Sequence, residues 1–136
     1  MITFKKSIFA FSIAIVFIFS WSCKKEAGEG GQASITGKVY VRQYNKTFTT
    51  KTAEYYAQGE DVYIVYGNET AVGNRVRTNY DGTYKFSFLR QGNYKVYAYS
   101  KDSTFKIPSG QFAEIKLLEI KERKEDVAVP DIIILK

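Results

Sequence analysis

A chain of 136 residues has room for one domain and a single core. It contains no histidine and one cysteine, Cys23, which excludes zinc sites, Cys/His and Ser-His-Asp catalysis and internal disulfides by inventory; no enzyme, metal or cofactor is expected. The formal charge of +6 falls to +4 once Lys5 and Lys6 are set aside, a mild excess that serves solubility and leaves no nucleic-acid footprint.

Lys5-Lys6 followed by the apolar run Ser7 to Phe19 has the charged start and short apolar stretch of an export signal, and is too short to span a bilayer. Residues 1–22 are read as that signal. Its end, Ser20-Trp21-Ser22-Cys23, resembles the lipobox of bacterial lipoproteins, in which a small residue precedes a cysteine that becomes the acylated N-terminus. Ser22 fits the pattern, while Ser20 and Trp21 stand where leucine and a smaller residue are usual, so an ordinary signal peptide with an incidental cysteine is the alternative. The resemblance implies a lipid on Cys23 and attachment to a membrane. Lys24 occupies the position where an aspartate would imply inner-membrane retention, so the implied location is the outer membrane, on its periplasmic or its surface face. Residues 23–33, with three glycines between Gly28 and Gly31 and no apolar period, read as a flexible tether of roughly 17 Å r.m.s. span.

The domain proper, 34–136, is expected to be all-β. All 11 tyrosines of the chain and five of its 10 phenylalanines lie here, proline (2) is scarce, and short alternating runs recur between Gly, Asn and Asp. Ile35 to Tyr44 reads as a strand with Val39 and Val41 on its apolar side; Asn45 to Tyr56 as a long hairpin or loop; Val62 to Tyr66 and Arg75 to Thr78 as strands. At the centre, Asp81-Gly82 is a turn signal, after which Tyr84, Phe86 and Phe88 alternate with polar residues. The parity breaks at Leu89, Gln91-Gly92-Asn93 turns the chain, and Tyr94, Val96 and Ala98 resume it. Tyr94, just after that turn, is placed to act as a tyrosine corner. Phe112 to Ile120 and a continuous apolar run, Ile132 to Leu135, complete about seven strands, with the core expected from Val39, Val41, Val62, Ile64, Tyr84, Phe86, Val96 and Ile133.

Gly37-Lys38-Val39, Gly59 to Ile64, Thr78 to Phe86 and Leu89 to Val96 together resemble the carboxypeptidase regulatory-like domain. The resemblance implies a Greek-key β-sandwich of transthyretin-like type, grouped with carbohydrate-binding-like folds. It also implies an accessory role, as binding module, stalk or spacer of exported proteins. Two outward-facing sets are candidate ligand residues: Lys38, Tyr40, Arg42 and Tyr44, and Lys95, Tyr97, Tyr99 and Lys101. Tyrosines stack on sugar rings or apolar partner surfaces and the bases attract anionic groups; exposed tyrosines also serve simply as cross-strand pairs. The expected partner is an envelope glycan or an outer-membrane protein, the alternative a purely structural spacer. Contiguity of the two sets would favour binding. Asp102-Ser103-Thr104 resembles the acceptor motif of a bacterial O-glycosylation system, which would modify Ser103.

Overall fold

The computed structural model describes residues 26–136, and Cys23 and the export signal lie outside the described residues. Nine strands form two sheets: β1 (Glu29–Tyr44), β2 (Lys51–Tyr56), β3 (Asp61–Tyr66), β4 (Asn74–Arg77), β5 (Thr83–Leu89), β6 (Gly92–Lys101), β7 (Gln111–Ile120), β8 (Asp126–Ala128) and β9 (Ile132–Leu135). The two strands beyond the expected seven are β2, the far arm of the Asn45 to Tyr56 hairpin, and the three-residue β8. In the five-stranded sheet β1 is central. Strands β5 and β2 run antiparallel along one edge of β1, meeting at Val39, which binds Gly82 through its N–H and Ala57 through its carbonyl. The short β8 and β9 run parallel to it along the other edge. The second sheet has the order β4-β3-β6-β7, all antiparallel. The chain crosses from one sheet to the other between β2 and β3, back between β4 and β5, again between β5 and β6, and back between β7 and β8, which is Greek-key connectivity in a β-sandwich.

Alternation in sequence becomes the two-sided sandwich directly. Ile35, Val39 and Val41 of β1, with Tyr84 and Phe86 of β5 beside them, face Val62, Ile64, Tyr94, Val96 and Ala98 of the other sheet in a single buried cluster. One expected core residue is misplaced. The apolar run Ile132 to Leu135 forms a strand with only one covered side, so Ile132 and Ile134 are fully buried and Ile133 turns out to solvent. A continuous hydrophobic run conceals the parity that an alternating strand would display.

The tether is shorter than its composition implies. Strand β1 begins at Glu29 and Ala33 is already in the core. Gly31 is required by close packing: a Cβ there would lie 1.9 Å from the Leu89 carbonyl oxygen. Tyr94 locks the start of this segment, accepting the Gly28 N–H at 3.0 Å and donating to the Arg90 carbonyl at 2.6 Å, the bonding expected of a tyrosine corner. The parity break at the end of β5 also resolves. Phe88 adopts a left-handed backbone (φ 58°) and turns outward, which brings Leu89 into the core in its place.

Candidate functional site

The two candidate sets lie on different sheets. Lys38, Tyr40, Arg42 and Tyr44 sit on β1, in the five-stranded sheet; Lys95, Tyr97, Tyr99 and Lys101 sit on β6, in the four-stranded sheet. They do not form one platform, because alternation assigns a side chain to a face of its strand but carries no information on which sheet the strand joins.

On the five-stranded sheet the side chains are occupied with one another. Tyr40 packs edge-on against Tyr56 of β2, its register partner, at 5.1 Å between ring centroids. The Lys38 ammonium sits 4.8 Å above the Tyr56 ring and within 4.0 Å of Asp81, and the Tyr56 hydroxyl donates to Asp131. Arg42 pairs with Glu54, which Lys51 also holds at 2.7 Å. Tyr44 stacks at a tilt on Phe48 in the β1–β2 turn. This is the cross-strand pairing that stabilises a sheet. The hairpin expected at Asn45 to Tyr56 provides most of those partners.

The outer face of the four-stranded sheet is different. Tyr63, Tyr97 and Ile115 are register partners in one row across β3, β6 and β7; Val65, Lys95 and Leu117 form the next row, and Tyr99 lies opposite Ala113. Tyr63 and Tyr97 stack at 5.2 Å with an interplanar angle of 16°, and Tyr99 meets both edge-on at 5.6 Å. Burial, then the hydrogen bond with Tyr99, pushes the Tyr97 phenol above its ordinary pKa, so at neutral pH its hydroxyl is uncharged and able to donate. Beside this cluster Leu117 is 76% exposed and Ile115 49%. Arg75 and Arg77 of β4 border the face, both paired with Asp61. A groove lined by Gly67, Asn68, Lys95, Leu117 and Glu119 opens at one end of it, and a second, lined by Asp61, Tyr63, Tyr99, Lys101 and Gln111, at the other.

Sequence reasoning placed Lys95, Tyr97 and Tyr99 here but missed Tyr63, Ile115 and Leu117. Tyr63 was legible: with Val62 and Ile64 inward, its parity is outward. Ile115 and Leu117 were not, because two alternating aliphatic residues are the usual sign of a core face. In β7 the buried parity belongs to Leu118 and Ile120.

At the end of the sandwich where β1 and β6 finish, Phe48 and Phe105 pack edge-on at 5.7 Å. The loop carrying Phe105 is built on Asp102, whose carboxylate accepts bonds from the Thr104 hydroxyl and the Thr104, Lys106 and Ile107 amides. Those bonds, the Thr104 hydroxyl first and the Ile107 amide next, hold Asp102 down at about 2. Ser103 is exposed on this loop, while the aspartate of its motif is committed to loop structure. Among the described residues no group of three or more acidic or cysteine side chains is placed to hold a metal.

No family model matches the chain, and no curated protein matches it in sequence. Among solved structures it is similar to a Pseudomonas aeruginosa protein put forward as carbohydrate-binding, at 11% identity and a TM-score of 0.48, over 81% of this chain and 92% of that one.

Proposed function

We propose that the chain is a non-catalytic, lipid-anchored module of the bacterial outer membrane, of carboxypeptidase regulatory-like type, that docks an envelope protein on the outer face of β4-β3-β6-β7. The observation that carries this reading is the exposure of Leu117 and Ile115 beside the Tyr63–Tyr97–Tyr99 cluster. Aliphatic and aromatic side chains contiguous on an exposed face, bordered by arginines and lysines, have the composition of an interface core with a polar rim. Tyr63 and Tyr97 spend a ring face on each other, which suits an apolar protein surface better than a sugar ring. A glycan is the second reading, favoured by the groove in which Asp61, Lys101 and Gln111 surround Tyr63 and Tyr99. The anchor is supported by the Ser22-Cys23 junction at the end of the export signal.

Photo-crosslinkers placed at Leu117 and, on the outer side of β5, at Ser87 test the face in the acylated protein in its native envelope. A discrete adduct from Leu117 and none from Ser87 is expected. A glycan array run in parallel identifies the second reading, and adducts from neither position together with a blank array leave the spacer role.

A further inference from the structure

We infer that the end of the sandwich carrying Phe88 and the β7–β8 turn is a lipid-facing surface, seated on the bilayer to which Cys23 is attached; the inference rests on the anchored reading above. The described residues begin at this end of the sandwich. Ala27 lies against Gly92 at the start of β6, Gly28 is bonded to Tyr94 and Arg90, and β1 runs away from that end. Three residue steps separate Cys23 from Glu26, a maximum reach of about 11 Å. A lipid on Cys23 therefore holds this end of the domain at the headgroups, whatever path those residues take.

Phe88 stands at that end, two positions before Arg90. It is 74% exposed and held in the left-handed region at φ 58°, a conformation that glycine or asparagine adopts more cheaply than a bulky aromatic. Phe48 and Phe105 share such a backbone, but they pack on one another. Phe88 presents its ring to the surroundings, and at a bilayer surface an exposed aromatic finds an apolar medium. The β7–β8 turn is joined to the same end through the Gln91 side chain, which donates to the Lys121 carbonyl at 2.6 Å. It brings the exposed Lys121, Arg123 and Lys124 to the same end of the sandwich as Arg90. Of the acids in the turn, Glu125 is folded back onto the Lys121 and Glu122 amides, leaving Glu122 in the open. An exposed aromatic with cations at the same end of the domain is the pattern that anionic headgroups attract.

The only tryptophan of the chain is Trp21, which signal cleavage removes, so a single introduced tryptophan reports depth. Full-length acylated Phe88→Trp, Arg123→Trp and Phe105→Trp proteins are reconstituted in vesicles of phosphatidylethanolamine and phosphatidylglycerol. Brominated lipid should quench the Phe88→Trp and Arg123→Trp fluorescence severalfold more than that of Phe105→Trp, which soluble acrylamide should quench instead. Arg123→Trp keeps the test valid if position 88 does not tolerate the change. Vesicle-bound protein in which both reporters at this end respond to acrylamide and not to bromolipid overturns the surface and leaves the anchor standing. Protein that does not stay with the vesicles overturns both.

Discussion

Two buried tyrosines with opposite hydrogen-bonding status give a sharp test of how this core is held. Tyr94 and Tyr84 are each 1% exposed. The Tyr94 hydroxyl accepts the Gly28 N–H and donates to the Arg90 carbonyl, whereas the Tyr84 hydroxyl finds no partner among the described residues. Tyr94→Phe therefore leaves a buried N–H and a carbonyl unpaired and should cost about 1–3 kcal/mol. For a domain of this size that lowers Tm by about 4 °C per kcal/mol. Tyr84→Phe removes a hydroxyl whose burial is uncompensated, so it should be neutral or stabilising, by up to about 1 kcal/mol. Urea unfolding of the two variants beside wild type, with unchanged m-values, reads both numbers. Amide exchange at Gly28 should quicken in Tyr94→Phe alone. A Tyr94→Phe protein within a few tenths of a kcal/mol of wild type, or a Tyr84→Phe protein that loses more than about 1 kcal/mol, would refute this reasoning.

Phe86 is 2% exposed and packs on Tyr84, so Phe86→Ala should cost about 3–5 kcal/mol, measured by the same unfolding curves. Because the folded pKa of Asp102 lies below its ordinary 3.8, at about 2, its loop is stabilised at neutral pH and loses that stabilisation as pH falls from about 4 through 2. Protection factors of the Thr104, Lys106 and Ile107 amides, taken against the intrinsic exchange rate at each pH, should hold at pH 5 and fall across that window; unchanged protection below it would contradict the assignment. Metabolic labelling with a fatty acid should mark the protein and vanish in Cys23→Ala, and label that persists would rule out Cys23 as the acylated residue.

The sandwich was legible because most of its strands cover one face and leave the other in water, and period-two alternation records that division. It failed where the record is absent. Ile132 to Leu135 has no polar residue to mark the exposed side, and the inward and outward residues were exchanged. Gly28, Gly30 and Gly31 have the composition of a flexible segment, yet Gly31 is needed because Leu89 backbone fills the space of a side chain; composition cannot separate freedom from close approach. The site was half legible for a related reason. Tyr97 and Tyr99 announce an outward face, but their assembly with Tyr63, Ile115 and Leu117 depends on β6 lying between β3 and β7, a pairing of segments distant in sequence.

The central claim, that the β4-β3-β6-β7 face binds and the opposite face does not, is tested most directly by partner capture with two double variants of the acylated protein. Ile115→Glu/Leu117→Glu alters exposed side chains of the proposed interface, and Tyr40→Ala/Arg42→Ala alters the other sheet; circular dichroism first establishes that both fold. Quantified against the partner crosslinked at Leu117, or the glycan an array identifies, the first should lose more than about tenfold in affinity, as substitution at the centre of an interface does, and the second should bind as wild type. Wild-type binding by Ile115→Glu/Leu117→Glu, or loss confined to Tyr40→Ala/Arg42→Ala, would contradict the account.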